Sequence, residues 1–401
     1  MRTYKKTHGW LNFLLDLRKL KYTDWVLLGT AASKIEHIAG APLQPDVART
    51  LHELYLAKGV LGTTAIEGNT LTEEQVLQLL DKKLELPPSK EYLAKEIDNI
   101  VEACNYIAEE ILQGKPTGIT VDEIKRFNYM VLKDLPLSDE NVTPGELRKH
   151  TVGAGRYRAV PAEDCGHLLE LLCEWLNNDE WKDEKINPIS FSILKAIAAH
   201  IYFELIHPFG DGNGRTGRLI EFKILLGADV PTPAAHLLSN HYNHTRPAYY
   251  KHLDHISMSK GDIYPFISYA IEGLTEGLTE QAEKIRDQHR EIAWRNYVFE
   301  TFREKKGEPD KRRRDLLLDL SISNISFSKL SQKFEHNAPY VAIMFITKLT
   351  PRLAKAYANK SRMTLSRDID TLVDMGLLVK KGRTVRAKKE LMLAFLPQRR
   401  K

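Results

Sequence analysis

Cysteine is nearly absent from this chain: its 401 residues include three, Cys104, Cys165 and Cys173, an odd number without metal-type spacing. That usage excludes a disulfide framework and a zinc site and fits a reducing cytosol. Long hydrophobic runs are lacking too. No apolar stretch is read as approaching the ~18 residues of a membrane span. The apolar patch in "MRTYKKTHGWLNFLLDLRKLKY" is interrupted by Asp16 and Arg18 before it reaches the form of a signal peptide. A cytoplasmic protein without a membrane partner is the expectation. A strong charge of one sign is also missing, since a net charge of +5 is too small to name a partner. Its distribution is uneven: Lys348 to Lys401 carry 15 Lys or Arg against 4 Asp or Glu, so the rest of the chain is net acidic. Alternating apolar and polar stretches are few, and no internal repeat is visible, which predicts a mainly α architecture. The length exceeds what one core organises and calls for two or three domains.

A first helical block ends near Gly68. A second opens at Thr72, which with Gln75 has capping-box spacing, and runs through "KEYLAKEIDNIVEACNYIAEEIL". The stretch "TPGELRKHTVGAGRYRAVPAED", residues 143–164, loses helical periodicity and carries Gly145, Gly153 and Gly155, which suits a short β-hairpin flap or a glycine-rich connection. Helices resume at about Cys165. Asn187 and Pro188 form a cap and first-turn pair for a helix through "ISFSILKAIAAHIYFELIH", which Pro208 stops after His207. His200, on the apolar face of that helix, is read as structural.

The stretch "HPFGDGNGRTGR", residues 207–218, is the chemically dense part of the chain. After a tight loop, Leu219, Phe222 and Leu226 share one face of a second helix whose first turn contains Gly212 to Arg215. Free N–H groups and the positive dipole end of a first turn bind anions, and glycines allow close approach. Arg215 and Arg218, three residues apart, share a face from which guanidinium forks clamp phosphate oxygens. Asp211, just ahead of the turn, has the usual protein share of a Mg²⁺ site, the phosphates and water supplying the rest. His207 has the chemistry of a general base near neutral pH. The bland alternative, a glycine-rich turn between two helices, leaves five apt side chains unexplained. A P-loop is excluded, because its Gly-Lys-Ser/Thr ending and preceding strand are both missing.

These residues resemble the signature of the Fic family, His-x-Phe-x-Asp/Glu-Gly-Asn-Gly-Arg-x-x-Arg, at every specified position. The resemblance implies a helical core that transfers AMP from ATP to a Ser, Thr or Tyr hydroxyl of a protein, releasing pyrophosphate. It implies His207 as the base, Asp211 as the Mg²⁺ ligand, and Gly212, Asn213 and Gly214 as the anion hole. Arg215 and Arg218 would hold the outer phosphates, with Thr216 and Gly217 in the same nucleotide-binding turn. "TTAIEGN", residues 63–69, is similar to the family's inhibitory motif, with Thr63, Glu67 and Gly68 in the matching positions. On that resemblance Glu67 pairs with Arg218 in place of the γ-phosphate and keeps the resting enzyme silent. Read alone, the same residues are a solvated helix end with Gly68 as its cap. Residues 143–164 fall where the family places a flap that docks an extended protein substrate by strand addition. "SNHYNHTRPAYYKHL" resembles the segment that packs on adenine, with Tyr249 and Tyr250 as candidates, although paired tyrosines also suit a core.

The expected domains are therefore 1–85, helical with the inhibitory motif; 86–255, the Fic core; 256–310, a long helix and the charged linker "KGEPDKRRRD"; and 311–401, a winged helix-turn-helix. In the last, Leu365, Ile369 and Leu372 are the buried face of a recognition helix capped by Gly376. Leu377 to Lys380 and Thr384 to Ala387 are the wing. Arg362, Arg367, Lys380, Lys381, Arg383 and Arg386 are candidate contacts to DNA phosphates, diluted by Asp368 and Asp370. The alternative is a module for protein contacts, a homodimer among them. Two functions thus compete: an autoinhibited adenylyltransferase, and a DNA-binding regulator that uses an adenylate-binding core as a sensor. Transfer of another phosphate-containing group, or removal of AMP, shares the motif with the first.

Overall fold

The computed structural model describes residues 2–137, 139–154, 157–178, 185–327 and 340–392. It is mainly helical. In chain order the helices are α1 (Tyr4–Thr7), α2 (Tyr22–Gly40), α3 (Pro45–Ala65), α4 (Glu73–Leu80), α5 (Glu91–Leu112), α6 (Val121–Leu132), α7 (Cys165–Asn177), α8 (Pro188–Ile206), α9 (Asn213–Leu226), α10 (Thr232–Ala235), α11 (Leu237–His244), α12 (Arg246–Met258), α13 (Tyr264–Thr301), α14 (Glu308–Phe327), α15 (Pro351–Tyr357) and α16 (Arg362–Asp374). The strands are β1 (Gly153–Ala154), β2 (Tyr157–Arg158), β3 (Val341–Ala342), β4 (Leu378–Lys381) and β5 (Thr384–Ala387). The chain divides into two compact units, residues 1–285 and 286–401.

In the first unit α8 lies at the centre, packed on α9, α7 and α2. Ile193, Leu194, Ile197, Ile201, Phe203 and Ile206 are all fully enclosed, so this helix has no polar face. That corrects one sequence expectation: α8 is long and apolar enough to cross a membrane by length and composition, but it is largely buried core. Asn187 caps α8, its side chain accepting from the Ile189 and Ser190 amides. Thr72 and Gln75 form the reciprocal capping box of α4. Pro87 and Pro88 separate α4 from α5, as rings that cannot continue a helix require. β1 and β2 pair antiparallel, Gly153 opposite Arg158 and Ala154 opposite Tyr157. Gly155 lies outside the described residues.

The second unit has its own core, in which Trp294, Val298, Leu316, Leu317, Leu353, Ile369, Leu372 and Val385 are enclosed. Its strands form one antiparallel sheet in the order β3-β5-β4. Leu365, Ile369 and Leu372 face inward on α16, and Gly376, at φ +72°, ends that helix as its composition predicts. The supposed linker 306–315 is instead largely the first turns of α14. Glu308 and Asp310 suit the positive end of the helix dipole, and the arginines that read as solvated charge have a buried partner. Arg312 Nε and Arg313 Nε donate to Asp368 at 2.7 and 2.9 Å, and the Tyr357 hydroxyl joins them at 3.0 Å. Asp368 is buried and therefore does not dilute a basic surface.

Candidate active site

The site begins where α8 ends. His207 takes the left-handed conformation, φ +48°, while its N–H still closes the last helical turn onto Phe203 O at 2.9 Å. The carbonyls left open there are gathered by Arg148 from the stem of the hairpin. Its Nε donates to His207 O at 2.8 Å, and its other nitrogens to His150 O at 2.9 Å and Val160 O at 2.5 Å. Burial depresses the pKa of Arg148, but the negative end of α8 gives the cation a setting that favours it. Tyr157 of β2 adds a hydroxyl bond to Leu205 O at 2.5 Å. The hairpin and the end of α8 are thus one bonded piece.

The turn from His207 to α9 is held from inside and below. Asn213 spends its side chain on the loop: Oδ1 accepts from Phe209 N and Nδ2 donates to Phe209 O, both at 2.9 Å. Asn128 of α6 donates to Asp211 O at 2.9 Å and accepts from Gly145 N at 2.9 Å. Gly212 sits at φ +74°, a conformation that favours glycine, and its N–H donates to Asp211 Oδ1 at 2.5 Å. Thr216 Oγ donates to Gly212 O at 2.8 Å, so this side chain also belongs to the loop. The Asn213, Gly214 and Arg215 amides then head α9, with no earlier helical carbonyl to receive them.

A carboxylate of the chain itself occupies this anion-binding end. Glu67 follows α3 and places Oε1 2.6 Å from Arg218 Nη2. It lies so close to the first turn that a Cβ on Gly214 would overlap its Oε1. Arg218 Nη2 also donates to Thr63 O at 2.9 Å, which gives Thr63 its part in the contact through the backbone. Gly68, at φ +110°, turns the chain away. Burial opposes the charge of Arg218, yet the nearby Glu67 carboxylate lifts its pKa above the ordinary arginine value. Arg218 Nε and Nη1 remain buried without a hydrogen-bond partner among the described residues.

Residues 118–225 match the model of the Fic/DOC family. The matched stretch contains the whole of the 207–218 motif. Across 264 residues it is 28% identical to protein adenylyltransferase Fic of Nematostella vectensis, covering 63% of this chain and 55% of that protein. Across 221 residues it is 30% identical to protein adenylyltransferase fic-1 of Caenorhabditis elegans, covering 55% and 40%. The chain thus spans about half the length of the relatives it matches. Among solved structures, C. elegans Fic-1 (residues 134–508) aligns with a TM-score of 0.52 at 24% identity, over 66% of this chain and 73% of that one. A Fic family protein from Desulfovibrio desulfuricans aligns with a TM-score of 0.51 at 18% identity, over 93% and 97%.

Around the motif several residues occupy places that spacing did not distinguish. Arg215 and Arg218 are directed to different carboxylates. Arg215 donates to Glu96 of α5 at 3.1 Å and to Asp211 at 3.3 Å, whereas Arg218 belongs to Glu67. Burial raises the Glu96 pKa while Arg215 opposes that rise. Asn69 ties Glu96 to the segment 63–69 through a 2.9 Å bond. Gly217 faces α8 rather than the first turn, since a Cβ there would meet Glu204 Oε1 at 2.9 Å. Tyr249 is enclosed, its hydroxyl 2.9 Å from His200 Nε2 and its ring stacked on Tyr242, so it is part of the core, as the alternative reading of the paired tyrosines has it. Tyr250 is 45% exposed beside the segment 63–69, its hydroxyl 3.4 Å from Ile66 O. Glu96, Asn128, Arg148 and Glu204 escaped sequence reasoning. Three of them reach the motif from far along the chain, and Glu204 precedes His207 without any recognisable spacing.

Proposed function

We propose that this chain is an autoinhibited protein adenylyltransferase that moves AMP from ATP to a Ser, Thr or Tyr hydroxyl of a protein substrate, itself included. The observation that carries this reading is the Glu67 carboxylate seated on the first turn of α9, 2.6 Å from Arg218. An anion-binding helix end with two arginines is built for phosphates, and here a tethered carboxylate stands in for one. The names of the relatives, protein adenylyltransferases, support the reaction class.

In this reading the phosphates enter along the Asn213–Arg215 amides, with Arg218 available once Glu67 leaves. Asp211 fits a Mg²⁺ ligand: its carboxylate is 33% exposed and its Oδ2 accepts no hydrogen bond among the described residues. The ion, when bound, supplies charge neutralisation on the phosphates. His207 takes the proton of the target hydroxyl as that oxygen bonds to the α-phosphorus. The bond from the α-phosphorus to the bridging oxygen breaks, and pyrophosphate departs with the electron pair. The open edge of the β1–β2 hairpin offers a template for an extended stretch of substrate, next to the histidine it helps to fix. Tyr250 is the aromatic candidate for the adenine.

A DNA-binding sensor is the second reading. It rests on Arg362, Arg367, Lys381 and Arg383, which have no acidic partner among the described residues. Lys380 and Arg386, expected with them, are occupied by Asp370 at 2.7 Å and Glu390 at 2.7 Å. An intact His207 favours the enzyme, because a sensor needs no base. ATP labelled at the α-phosphate or at the γ-phosphate separates the readings on Glu67→Gly protein in a cell lysate. Adenylyl transfer places the α label on protein and the γ label in pyrophosphate. Tight ATP binding with neither label transferred contradicts the enzyme, and γ label on protein contradicts AMP as the group moved.

A further inference from the structure

Resting on the adenylyltransferase reading, we infer that Glu204 is the positioning residue of His207: its carboxylate accepts a hydrogen bond from the Nδ1–H of the imidazole and so leaves Nε2 as the basic nitrogen. Glu204 lies one turn before His207 on α8. The left-handed backbone at His207 folds the imidazole back over that turn, and Glu204 Oε2 stands 3.6 Å from Nδ1. The Glu204 side chain is 10% exposed. Both His207 Nδ1 and Glu204 Oε1 are buried without a hydrogen-bond partner among the described residues. A buried donor and a buried carboxylate left unpaired are costly, and a side-chain adjustment of less than 1 Å joins these two. The protein has made room for the carboxylate, because any side chain at Gly217 would press on it at 2.9 Å.

The surrounding groups leave His207 as its partner. From α8, His200 is pushed down to about 4 by burial and is already bonded to Tyr249, so it stays neutral. From α9, Arg218 is directed to Glu67 and Thr63, and the Glu221 carboxyl, raised well above its usual range by burial, accepts from Tyr242 at 2.9 Å. Tyr249 of α12 and Glu67 complete the shell of titratable groups. Burial works to raise the Glu204 carboxyl, but the neighbouring His207 imidazole and, less strongly, the Arg218 guanidinium hold it below its ordinary value. The chemistry needs one proton path only. The target hydroxyl proton goes to Nε2, the Nδ1 proton stays where it is, and the carboxylate steadies the resulting imidazolium.

The test uses the full chain with Glu67→Gly as parent, together with Glu204→Gln and Glu204→Ala in that background. ¹⁵N NMR of the histidine ring reads the His207 tautomer, assigned by its loss in His207→Gln, and α-labelled ATP reads transfer. In the parent, neutral His207 carries its proton on Nδ1; in Glu204→Ala that preference is lost and kcat falls about 10- to 100-fold, with KM for ATP within about twofold. Glu204→Gln still accepts from Nδ1, so it keeps the tautomer and recovers part of kcat. Lacking the charge, it moves the acid limb of the pH–rate profile to lower pH. An unchanged tautomer and an unchanged kcat in both variants overturn the inference. If Glu204→Ala does not fold, the shifted acid limb of the near-isosteric Gln variant decides. If the parent transfers no label, the adenylyltransferase reading fails, while the tautomer measurement still answers for Glu204.

Discussion

At the scale of single residues, one glycine carries two duties that oppose each other. Gly214 is bare where phosphates are proposed to approach, and the same bareness admits Glu67, since a Cβ would overlap Glu67 Oε1 and lie 3.0 Å from Arg218 Nη1. Gly214→Ala is therefore expected to displace Glu67 without switching transfer on: ATP affinity by calorimetry falls about tenfold or more, one to three lost charge-assisted bonds being involved. An active Gly214→Ala protein would show that the first turn is not the phosphate site. The two tyrosines divide in a similar way. Neighbouring positions on a helix point about 100° apart, so only one of Tyr249 and Tyr250 can line a pocket, and spacing alone could not choose. Tyr250→Ala should raise KM for ATP by about 1 kcal/mol or more of lost stacking. Tyr249→Phe should leave KM alone and lower stability by about 1 kcal/mol through the lost His200 bond. Contiguity made His207, Asp211 and Arg218 legible in the sequence. Glu96 and Arg148 were not, because their partners lie 119 and 59 residues away and nothing local marks them.

At the scale of elements, the junction of α8, α9 and the hairpin stem depends on Arg148. Four protein carbonyls, of His207, His150, Val160 and Ile206, face a guanidinium fork that an ammonium cannot reproduce. Arg148→Lys is expected to destabilise the fold by about 2–4 kcal/mol and to lower kcat more than it raises KM for ATP. Calorimetry and label transfer read the two effects, and a silent substitution would detach the hairpin from His207. The helices also hold histidines that burial keeps neutral. His200 and His241 are pushed down to about 4 and His236 to about 3 from an ordinary 6.5. Below that ordinary value the unfolded chain binds protons that the folded chain refuses, so stability falls as pH drops from 6.5 toward 4 and is level above 7. Melting temperatures across pH 8 to 5 check the sign. Element identity was readable wherever caps and periodicity agreed, as at Thr72, Asn187 and Gly376. It was misread at 306–315, because charged residues look solvated until Asp368, more than fifty positions on, is seen to receive Arg312 and Arg313.

For the whole molecule, the two units each enclose an apolar core, and every residue of the candidate site belongs to residues 1–285. A Glu67→Gly chain ending at Ile285 is accordingly expected to fold and to keep adenylyl transfer within about threefold of the full-length variant. A folded but inactive fragment would assign part of the chemistry to the second unit. The central claim, that a carboxylate of the chain occupies a phosphate place and silences an adenylyltransferase, is tested most directly by α-labelled ATP transfer with Mg²⁺ on three full-length proteins. These are wild type, Glu67→Gly and Glu67→Gly/His207→Ala. The account predicts label on protein that rises about 5- to 150-fold from wild type to Glu67→Gly and disappears in the double variant, while ATP binding by the double variant persists. Equal labelling of wild type and Glu67→Gly, or undiminished labelling without His207, would contradict it.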